Sequence, residues 1–331
     1  MPMPDTPADP VPPVTVIVAT RDRPAMLRRC LQAVAAATRP GDAVVVVDSA
    51  SVDPAVRSVA EEAGATVVRC DRPGTSRARN AGWRAAASDV VLFTDDDCAP
   101  APDWVRVTAG VLARCPSLDF ATGSVHPDRV AGRAELGTSL LTDDRARSLE
   151  LGNDVGGFGH GANMAWRRSA LERIGGFDEA LGPGAVFRGA EDHDAFERAL
   201  WLGCRGRFEQ ASVVVHHQWR DRRGQLHAYF GYGVGTGART VKRRRIGAAE
   251  RTGGHRTDGD RGAPPLPWPD LVADTGRTIV WENGVRTVVR NLRDHFEMAA
   301  VGEAVKTVGQ LSGAVRARRA PLDRLGRFVV P

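Results

Sequence analysis

Apolar and polar positions alternate in blocks through the first third of the chain, and the blocks predict its elements. Four short runs rich in Val and Ile read VTVIVA (14–19), AVVVVD (43–48), TVVRC (66–70) and DVVLFT (89–94). Such runs are typical of strands buried on both faces. The segments between them place apolar residues at helical spacing, as Leu27, Leu31 and Val34 do. This alternation predicts an α/β fold with a mostly parallel sheet flanked by helices.

The pattern becomes less regular after residue 115. The later elements are predicted as strands at 119–125 and 211–217 and as helices at 167–176 and 191–203. Residues 249–267 are polar and rich in Gly and Pro, which predicts a loop. Residues 270–320 have a helical pattern, so we expect a helical C-terminal extension.

Composition narrows the class of protein. The five cysteines are an odd number without any C-x-x-C pair, which argues against a disulfide framework or a zinc site and favours a reducing compartment. The Pro-rich start lacks the layout of a secretory signal. No stretch approaches the roughly 18 apolar residues that cross a bilayer. We therefore expect a cytoplasmic protein.

Charge is distributed unevenly along the chain. Residues 216–331 carry 21 Lys and Arg against 11 Asp and Glu, and they include the cluster Lys242–Arg245. One hypothesis is peripheral contact with the inner face of the membrane, with the cluster near anionic lipids. The alternatives are a solvated Arg-rich surface and a helical lid across the sheet. Aromatic residues are sparse and the basic residues lie outside the candidate site, so nucleic acid is a poor partner.

Polar residues follow several of the predicted strands at the point where each strand ends. They are Thr20, Arg21 and Arg23 after the first strand, Asp48 at the end of the second, Asp95, Asp96 and Asp97 after the fourth, and His216 at the end of a late strand. Ligands of open α/β sheets bind outside the carboxyl ends of the strands. This topology can therefore gather distant residues in one crevice.

The acidic triplet suits a metal ion. Side chains two apart share a face in extended chain, so Asp95 and Asp97 can point the same way. Mg²⁺ is usually held by one or two carboxylates together with substrate phosphates. A cation there would offset the repulsion among the carboxylates. The alternative is a solvated acidic turn before the helix that starts near Pro102.

Several segments in this order and spacing resemble family 2 glycosyltransferases of the GT-A fold. They are VTVIVATRDRPAMLRRCL, VVVVDSASVD, GTSRARNAGWRAA and VVLFTDDDCAP, followed by GANMAWRRSALERIGGFDE and GAEDHDAFERALWLGCRG on the acceptor side. The resemblance implies metal-dependent, inverting transfer of a sugar from an NDP-sugar donor to an acceptor hydroxyl. The implied cofactor is Mg²⁺ or Mn²⁺, and the acceptor is a sugar, a lipid-linked molecule or a natural product.

The resemblance also divides the chain. Residues 1–13 are then a flexible leader and residues 14–220 a catalytic domain of the GT-A type. Within this domain, residues 14–115 form the nucleotide-binding half and residues 116–220 the acceptor half. Residues 221–331 form a basic, mainly helical region beyond the match.

The resemblance assigns donor-side roles by position. Asp48 matches the family's contact to the nucleotide base, Arg79 and Asn80 match residues near the nucleotide, and Thr20 and Arg21 join this donor-binding set. Asp95 and Asp97 match the D-x-D pair, in which the last Asp coordinates the metal and the first serves the ribose or the metal. Asp96 can replace Asp95, because the triplet leaves the register open.

The acceptor side carries the base that deprotonates the acceptor hydroxyl. The family's E-D pair corresponds to Glu191 and Asp192, with Asp192 preferred and Glu191 in reserve. The start of a helix favours an ionised carboxylate there, although acids are common at helix starts. Asp194 and Glu197 are expected on the helix surface.

The other acceptor-side and metal residues are less sharply defined. His216, preferred over His217, is a candidate metal ligand. Gly161, Asn163 and Trp166 are candidates for the acceptor wall, and core packing is the alternative for Trp166.

Two other functions are compatible with an α/β sheet of this kind. A non-catalytic sugar-nucleotide-binding or scaffold protein would keep the fold, since fold alone does not establish activity. A sugar-1-phosphate nucleotidyltransferase would need a Gly-rich basic signature after the first strand, and ATRDRPAML does not supply one. A dinucleotide-binding oxidoreductase is disfavoured because no G-x-G-x-x-G follows that strand.

Overall fold

The computed structural model describes residues 11–129, 139–150, 157–251, 297–323 and 325–329. The strands are β1 (Thr15–Thr20), β2 (Ala43–Ser49), β3 (Thr66–Cys70), β4 (Val90–Asp95), β5 (Cys98–Pro100), β6 (Phe120–Pro127), β7 (Arg147–Leu149), β8 (Met164–Arg167) and β9 (Gly206–His216). The helices are α1 (Pro24–Ala37), α2 (Ala55–Glu62), α3 (Thr75–Ala85), α4 (Trp104–Arg114), α5 (Arg168–Ile174), α6 (Glu191–Trp201), α7 (Arg222–Arg251) and α8 (Glu297–Ala317).

The strands of the described residues form one sheet with the order β3-β2-β1-β4-β8-β6-β9-β5, and β7 pairs with β9. Strands β1 to β4 pair in parallel, with β1 between β2 and β4. Strand β8 is antiparallel to both β4 and β6 and so joins the second half of the chain to the first. This confirms the predicted α/β architecture with helices beside a central sheet.

The apolar runs fill both faces of the sheet. On one face Val16, Val18 and Leu92 pack against α1, α2 and α4, and on the other Ile17, Val47 and Phe93 face α3, α5 and α6. This two-sided burial explains why the first strands are continuous apolar runs rather than alternating ones. The four predicted N-terminal strands lie within one residue of the observed ones.

The prediction that β9 starts at residue 211 is wrong, because the strand begins at Gly206. The polar stretch RFEQ lacks the apolar pattern of a strand, so the first part of β9 is not evident from the sequence. Gly206 nevertheless pairs in parallel with Phe120 of β6. A Cβ at Gly206 would lie 2.2 Å from the Phe120 ring. Glycine therefore lets β9 pass the aromatic ring and extend the sheet.

Helices α7 and α8 pack against each other at very short range. A Cβ at Gly237 would lie 1.9 Å from the carbonyl oxygen of Gln310, and a Cβ at Gly313 would lie 1.9 Å from that of Val234. Gly235 makes an equally close approach to Gly189, in the loop before α6. Glycines on two sides of α7 thus let it lie between α8 and the body of the protein.

Buried ion pairs attach α7 to the sheet domain. Lys242 is 2% exposed, and its Nζ lies 2.8 Å from Asp178 Oδ2 and also contacts Asp194. Asp194 is itself 2% exposed, so the expectation that it is a helix-surface charge is wrong. Glu197 pairs with Arg239, its Oε2 lying 2.6 Å from Nη1.

The basic cluster Lys242–Arg245 does not form an exposed polybasic surface. Lys242 and Arg245 are both buried, and Arg245 donates through Nη1 to the carbonyl oxygens of Ala317 and Ala320. A headgroup-binding role for these two residues is therefore wrong, because their charged groups bind partners inside the protein. None of the described helices combines the length and the apolar character that a bilayer span requires.

Parts of the predicted organisation lie outside the described residues. These parts are residues 1–10 of the leader, residues 252–267 of the predicted loop and residues 270–296 of the predicted helical region. Residues 249–251 belong to the end of α7, so the predicted loop boundary at 249 is too early.

Replacing Lys242 by Ala should lower the free energy of unfolding much more than replacing its neighbour Arg243 by Ala. Loss of Lys242 leaves Asp178 and Asp194 buried without this cation, and breaking such a pair costs about 3–5 kcal/mol. Arg243 is 57% exposed, and surface ion pairs contribute at most about 1 kcal/mol. Urea denaturation of both variants measures the difference, and equal losses would contradict the internal role of Lys242.

Candidate active site

A cavity of about 510 Å³ opens at the carboxyl ends of β1 and β4. The loop at 160–162, the first turn of α6, and helices α7 and α8 also line it. The predicted site residues that line it are Thr20, Arg21, Arg79, Asp95, Asp97, Gly161, Glu191, Asp192 and His216. The fold thus brings together residues that are far apart in the sequence.

The acidic triplet splits between the cavity and the interior. Asp95 and Asp97 line the cavity. Asp96 is 1% exposed, and its Oδ2 accepts a hydrogen bond from Thr20 Oγ1 at 2.7 Å while Arg23 Nη2 lies 2.5 Å from its Oδ1. Asp96 does not line the cavity, which corrects the expectation that it could replace Asp95.

The electrostatics of the triplet explain how three adjacent carboxylates are tolerated. Burial raises the pKa of Asp96 to about 7, although Arg23 favours its charged form. Asp95 Oδ1 accepts a hydrogen bond from Arg79 Nη2 at 2.9 Å, and Arg23 Nη1 lies 3.2 Å from Asp97 Oδ2. Two arginines and a carboxyl group with a raised pKa therefore limit the repulsion.

Asp97 and His216 are neighbours across a strand pair. Strand β5 is antiparallel to β9 with Cys98 opposite His216, which carries the imidazole beside the preceding residue, Asp97. His216 Nε2 lies 3.5 Å from Asp97 Oδ1. His217 faces away and pairs with Asp128. The geometry agrees with the preference for His216 over His217.

Contacts from the start of the C-terminal region support this pair. The Gln218 amide lies 2.7 Å from Nδ1 of His216, and Trp219 Nε1 donates to Asp97 Oδ2 at 2.9 Å. Sequence analysis did not identify these two residues, although they directly follow the histidines. Their amide and indole groups orient the imidazole and the carboxylate toward the cavity.

The donor atoms at this position fit a hard divalent ion. Asp97 and His216 offer a carboxylate oxygen and a ring nitrogen, with Asp95 on the same cavity wall. The Gln218 amide nitrogen faces Nδ1 of His216, so Nδ1 accepts the hydrogen bond and Nε2 carries the proton of the neutral ring. If the amide turned its oxygen to Nδ1–H, the Nε2 lone pair would be free for a metal. Burial and the charge of Asp97 raise the pKa of the adjacent Cys98 thiol. The thiol therefore stays protonated and is a poor ligand, which leaves an oxygen and nitrogen set suited to Mg²⁺ or Mn²⁺.

The first turn of α6 contributes two carboxylates to the lining of the cavity. Glu191 Oε1 accepts a hydrogen bond from Arg79 Nη1 at 2.9 Å. Asp192 accepts hydrogen bonds from the backbone N–H of Gly161 at 2.8 Å and of His193 at 2.7 Å. The Asp192 carboxylate is thus fixed by backbone donors, whereas Glu191 is held by a buried cation.

Their surroundings shift the pKa values of the Glu191 and Asp192 carboxyl groups in opposite directions. Burial and the charge of Asp192 raise the pKa of Glu191 to about 7. Burial also opposes ionisation of Asp192, but His193, His160 and Arg79 outweigh it and lower the pKa of Asp192. Asp192 is therefore the member of the pair that stays ionised across the neutral range.

Gly161 is required by the contacts around it. A Cβ at this position would lie 2.4 Å from Nη2 of Arg79. The absent side chain lets the loop lie against the guanidinium while its N–H reaches Asp192. Gly161 lines the cavity, and its contact with an acceptor stays a prediction.

Two predicted nucleotide-side residues do not line the cavity. Asp48 accepts a hydrogen bond from the backbone N–H of Ser51 and pairs with Arg69, whose Nη1 lies 2.5 Å from Oδ2. Its contact with a base stays a prediction. Asn80 is 1% exposed and bonds to both backbone groups of Phe177. Asn80 clamps the chain after α5, which corrects the expectation that it contacts the nucleotide.

Two predicted acceptor residues are also structural. Asn163 is fully buried, and its Nδ2 donates to the carbonyl oxygens of Ser124 and Ser212. Trp166 is fully buried and stacks on Phe120, with ring centroids 4.6 Å apart. Neither side chain can reach an acceptor, so the core-packing alternative for Trp166 holds and the acceptor role of Asn163 is corrected.

The C-terminal helices contribute cavity residues that the sequence analysis missed. They are Tyr229, Tyr232 and Thr236 of α7 and Glu303 and Lys306 of α8. The chain contains two tyrosines, and both are in this set. This placement agrees with the lid alternative for the C-terminal region, and the use of both tyrosines at one cavity was a signal in the composition.

Comparison with known protein families gives a match over the N-terminal part of the chain. Residues 15–175 match the family model for glycosyl transferase family 2. The pre-mycofactocin glycosyltransferase of Mycobacterium tuberculosis is 29% identical over 222 residues, which are 64% of this chain and 43% of that protein. The succinoglycan biosynthesis protein ExoO of Rhizobium meliloti is 28% identical over 220 residues, covering 63% of this chain and 62% of ExoO. The chain thus spans less than half of the mycobacterial relative.

Solved structures with the same fold cover nearly the whole chain. The mannosyltransferase PcManGT from Pyrobaculum calidifontis, in complex with GDP-Man and Mn²⁺, has a TM-score of 0.56 and 21% identity and covers 95% of this chain and 89% of its own. Residues 1–349 of S. aureus TarS in complex with UDP have a TM-score of 0.51 and 16% identity, covering 92% and 91%. At these identities the likeness establishes the fold.

The family match, the shared fold and the carboxylates gathered at the ends of the parallel strands agree with one another. Residues 15–175 of the chain are thus similar to glycosyl transferase family 2, and the chain has the GT-A fold.

Proposed function

We propose that the protein is a metal-dependent, inverting glycosyltransferase that moves a sugar from an NDP-sugar to an acceptor hydroxyl. One observation carries the proposal. The Asp97–His216 pair and the backbone-anchored Asp192 carboxylate line one cavity. Transfer from a phosphate-bearing donor needs both a cation-binding group for the diphosphate and a base for the acceptor hydroxyl. The two named nucleotide complexes, with GDP-Man and with UDP, belong to proteins of the same fold and support this choice of donor class.

Asp95, Asp97 and His216 would hold the metal ion. A divalent ion bound there would neutralise the diphosphate leaving group. Thr20 and Arg21 line the adjacent wall and are our candidates for donor contacts. Tyr229 and Tyr232 line the same cavity as Asp192, and we assign the acceptor to this part of the lining.

Asp192 is the proposed base. The acceptor oxygen attacks the anomeric carbon as the carbon–oxygen bond to the diphosphate breaks, with its electron pair going to the diphosphate. The acceptor proton passes to a carboxylate oxygen of Asp192. Since the two backbone N–H groups fix this carboxylate, the attacking oxygen can be held in line with the leaving group. Glu191 is less suited to this role because its carboxylate is held by the buried Arg79 guanidinium.

Arg79 links the two sides of the proposed reaction. It is 3% exposed, and its two terminal nitrogens bond to Asp95 and Glu191. We assign it a positioning role, because it sets the distance between the donor wall and the acceptor wall without needing to touch either substrate.

Two substitutions test the proposed function. Asp192→Asn should lower kcat by about 100- to 10,000-fold, the usual contribution of a general base, while donor binding is kept. Asp97→Ala should abolish the stabilisation that an NDP-sugar gives in the presence of Mn²⁺. Donor panels in thermal-shift assays and transfer assays with the best donor measure both effects.

The matched control is Asp103→Asn, an exposed residue at the start of α4 that should behave as wild type. Equal turnover in all variants would contradict the assigned roles. Donor binding without turnover in the wild type would instead favour a non-catalytic sugar-nucleotide-binding protein.

Arg79→Met should destabilise the protein in a pH-dependent way. Removing the cation from the buried Glu191 should cost about 3–5 kcal/mol near neutral pH. Burial raises the pKa of Glu191 from 4.5 to about 7. The charged form is therefore penalised as pH rises through this window, and loss of Arg79 deepens that penalty. We expect a larger loss of unfolding free energy at about pH 8 than at about pH 5.

Arg77→Met is the matched control on the same helix. Arg77 pairs with Glu179, whose side chain is 40% exposed, so its loss should be small and nearly independent of pH. Urea denaturation at both pH values gives the comparison. The same loss for Arg79→Met at both pH values would contradict the counter-charge role.

A further inference from the structure

A second group of potential metal ligands lies on the acceptor wall of the cavity. It consists of His160, in the loop before β8, and Asp192 and His193, in the first turn of α6. One ligand atom from each side chain lies within 4.8 Å of the others, and the imidazole centroids are 5.7 Å apart. All three residues are partly exposed and line the cavity. The group shares no residue with the Asp97–His216 pair.

The backbone fixes the proton positions of both imidazoles. His193 Nε2 lies 3.1 Å from the carbonyl oxygen of Gly159, and His160 Nε2 lies 3.2 Å from that of Leu140. A carbonyl oxygen only accepts, so each Nε2 must carry the proton. In the neutral form of each ring, Nδ1 then has a free lone pair. Metal-binding histidines characteristically donate their second ring N–H to a backbone carbonyl or a carboxylate in this way.

The carboxylate of the group is oriented in a similar manner. Gly161 N–H donates to Asp192 Oδ2 and His193 N–H donates to Oδ1, so each oxygen keeps a further lone pair. The three side chains therefore present acceptors only: two ring nitrogens and a carboxylate. Their natural complement is a cation.

We propose that His160, Asp192 and His193 form a second divalent-cation site on the acceptor wall, selective for Zn²⁺-type ions. Imidazole nitrogen favours Zn²⁺ and similar transition ions, whereas Mg²⁺ prefers all-oxygen sets with ordered waters. The site differs in this respect from the carboxylate-rich donor wall. The cavity provides the entry path, since each ligand is already partly exposed to it.

Occupation of the site has a consequence that rests on the proposed function. A Zn²⁺ ion would engage the Asp192 lone pair that accepts the proton from the acceptor hydroxyl. Zn²⁺ therefore inhibits transfer, in competition with the acceptor rather than with the donor. Binding itself requires no donor and no turnover.

Direct titration tests the site on the full chain. Zn²⁺ binding is measured by calorimetry with excess Mg²⁺, on wild type and on His216→Gln protein, so that binding at the donor wall is separated. We expect His216→Gln to retain this Zn²⁺ site. His160→Gln and His193→Gln should each lower its affinity at least about tenfold, since loss of even an outer-shell partner costs about 10- to 100-fold.

The matched control is His217→Gln, which removes an imidazole that pairs with Asp128 and does not line the cavity. It should bind Zn²⁺ as wild type does. Wild-type affinity in both His160→Gln and His193→Gln would overturn the proposal, and so would loss of all Zn²⁺ binding in His216→Gln.

A second readout keeps the test independent of variant folding. Nitrogen-15 NMR of the wild-type histidine rings should show Zn²⁺ shifting Nδ1 of His160 and His193 while Nε2 stays protonated. Unchanged Nδ1 signals at saturating Zn²⁺ would overturn the assignment. If the wild type binds Zn²⁺ in this way but transfers no sugar, the proposed function fails and the site stands.

Discussion

The buried guanidinium of Arg79 is the contact on which the arrangement of the site depends. It bonds to Asp95, at the end of a central parallel strand, and to Glu191, at the start of α6. These carboxylates belong to different halves of the chain, and without a shared cation they would repel each other across the cavity. Because Gly161 has no side chain, the acceptor loop can also lie against the same guanidinium. One ion-pair network thus links the two halves of the chain at the cavity.

Much of the fold and part of the site could be predicted from sequence because short-range rules determine them. Continuous apolar runs identified the parallel strands, and strand ends identified the edge where Asp95, Asp97 and His216 meet. Period-two alternation placed Asp95 and Asp97 on one face, although the triplet left open whether Asp96 could take the place of Asp95. These features depend on the direction of the local backbone, which sequence spacing encodes.

The remaining features depend on packing between distant segments. The sequence does not reveal that the side-chain amides of Asn80 and Asn163 form hydrogen bonds with buried backbone groups. Nor does it reveal that Trp166 packs in an aromatic stack. From its position in the sequence Asp194 is expected to be a surface charge, because its buried ion pair with Lys242 of α7 depends on long-range packing. Glycines four apart in both C-terminal helices, such as Gly233 with Gly237 and Gly309 with Gly313, indicate close contact between helices. The sequence does not indicate which surface each helix packs against.

In the proposed function, a metal-bound donor and the Asp192 base act in one cavity that the C-terminal helices help to line. Anomalous diffraction from crystals soaked with Mn²⁺ and a nucleoside diphosphate is the sharpest test of this proposal. We expect a manganese peak at coordination distance from Asp97 and His216, with the diphosphate in the same cavity as Asp192. A manganese ion bound elsewhere, or a diphosphate outside this cavity, would contradict it.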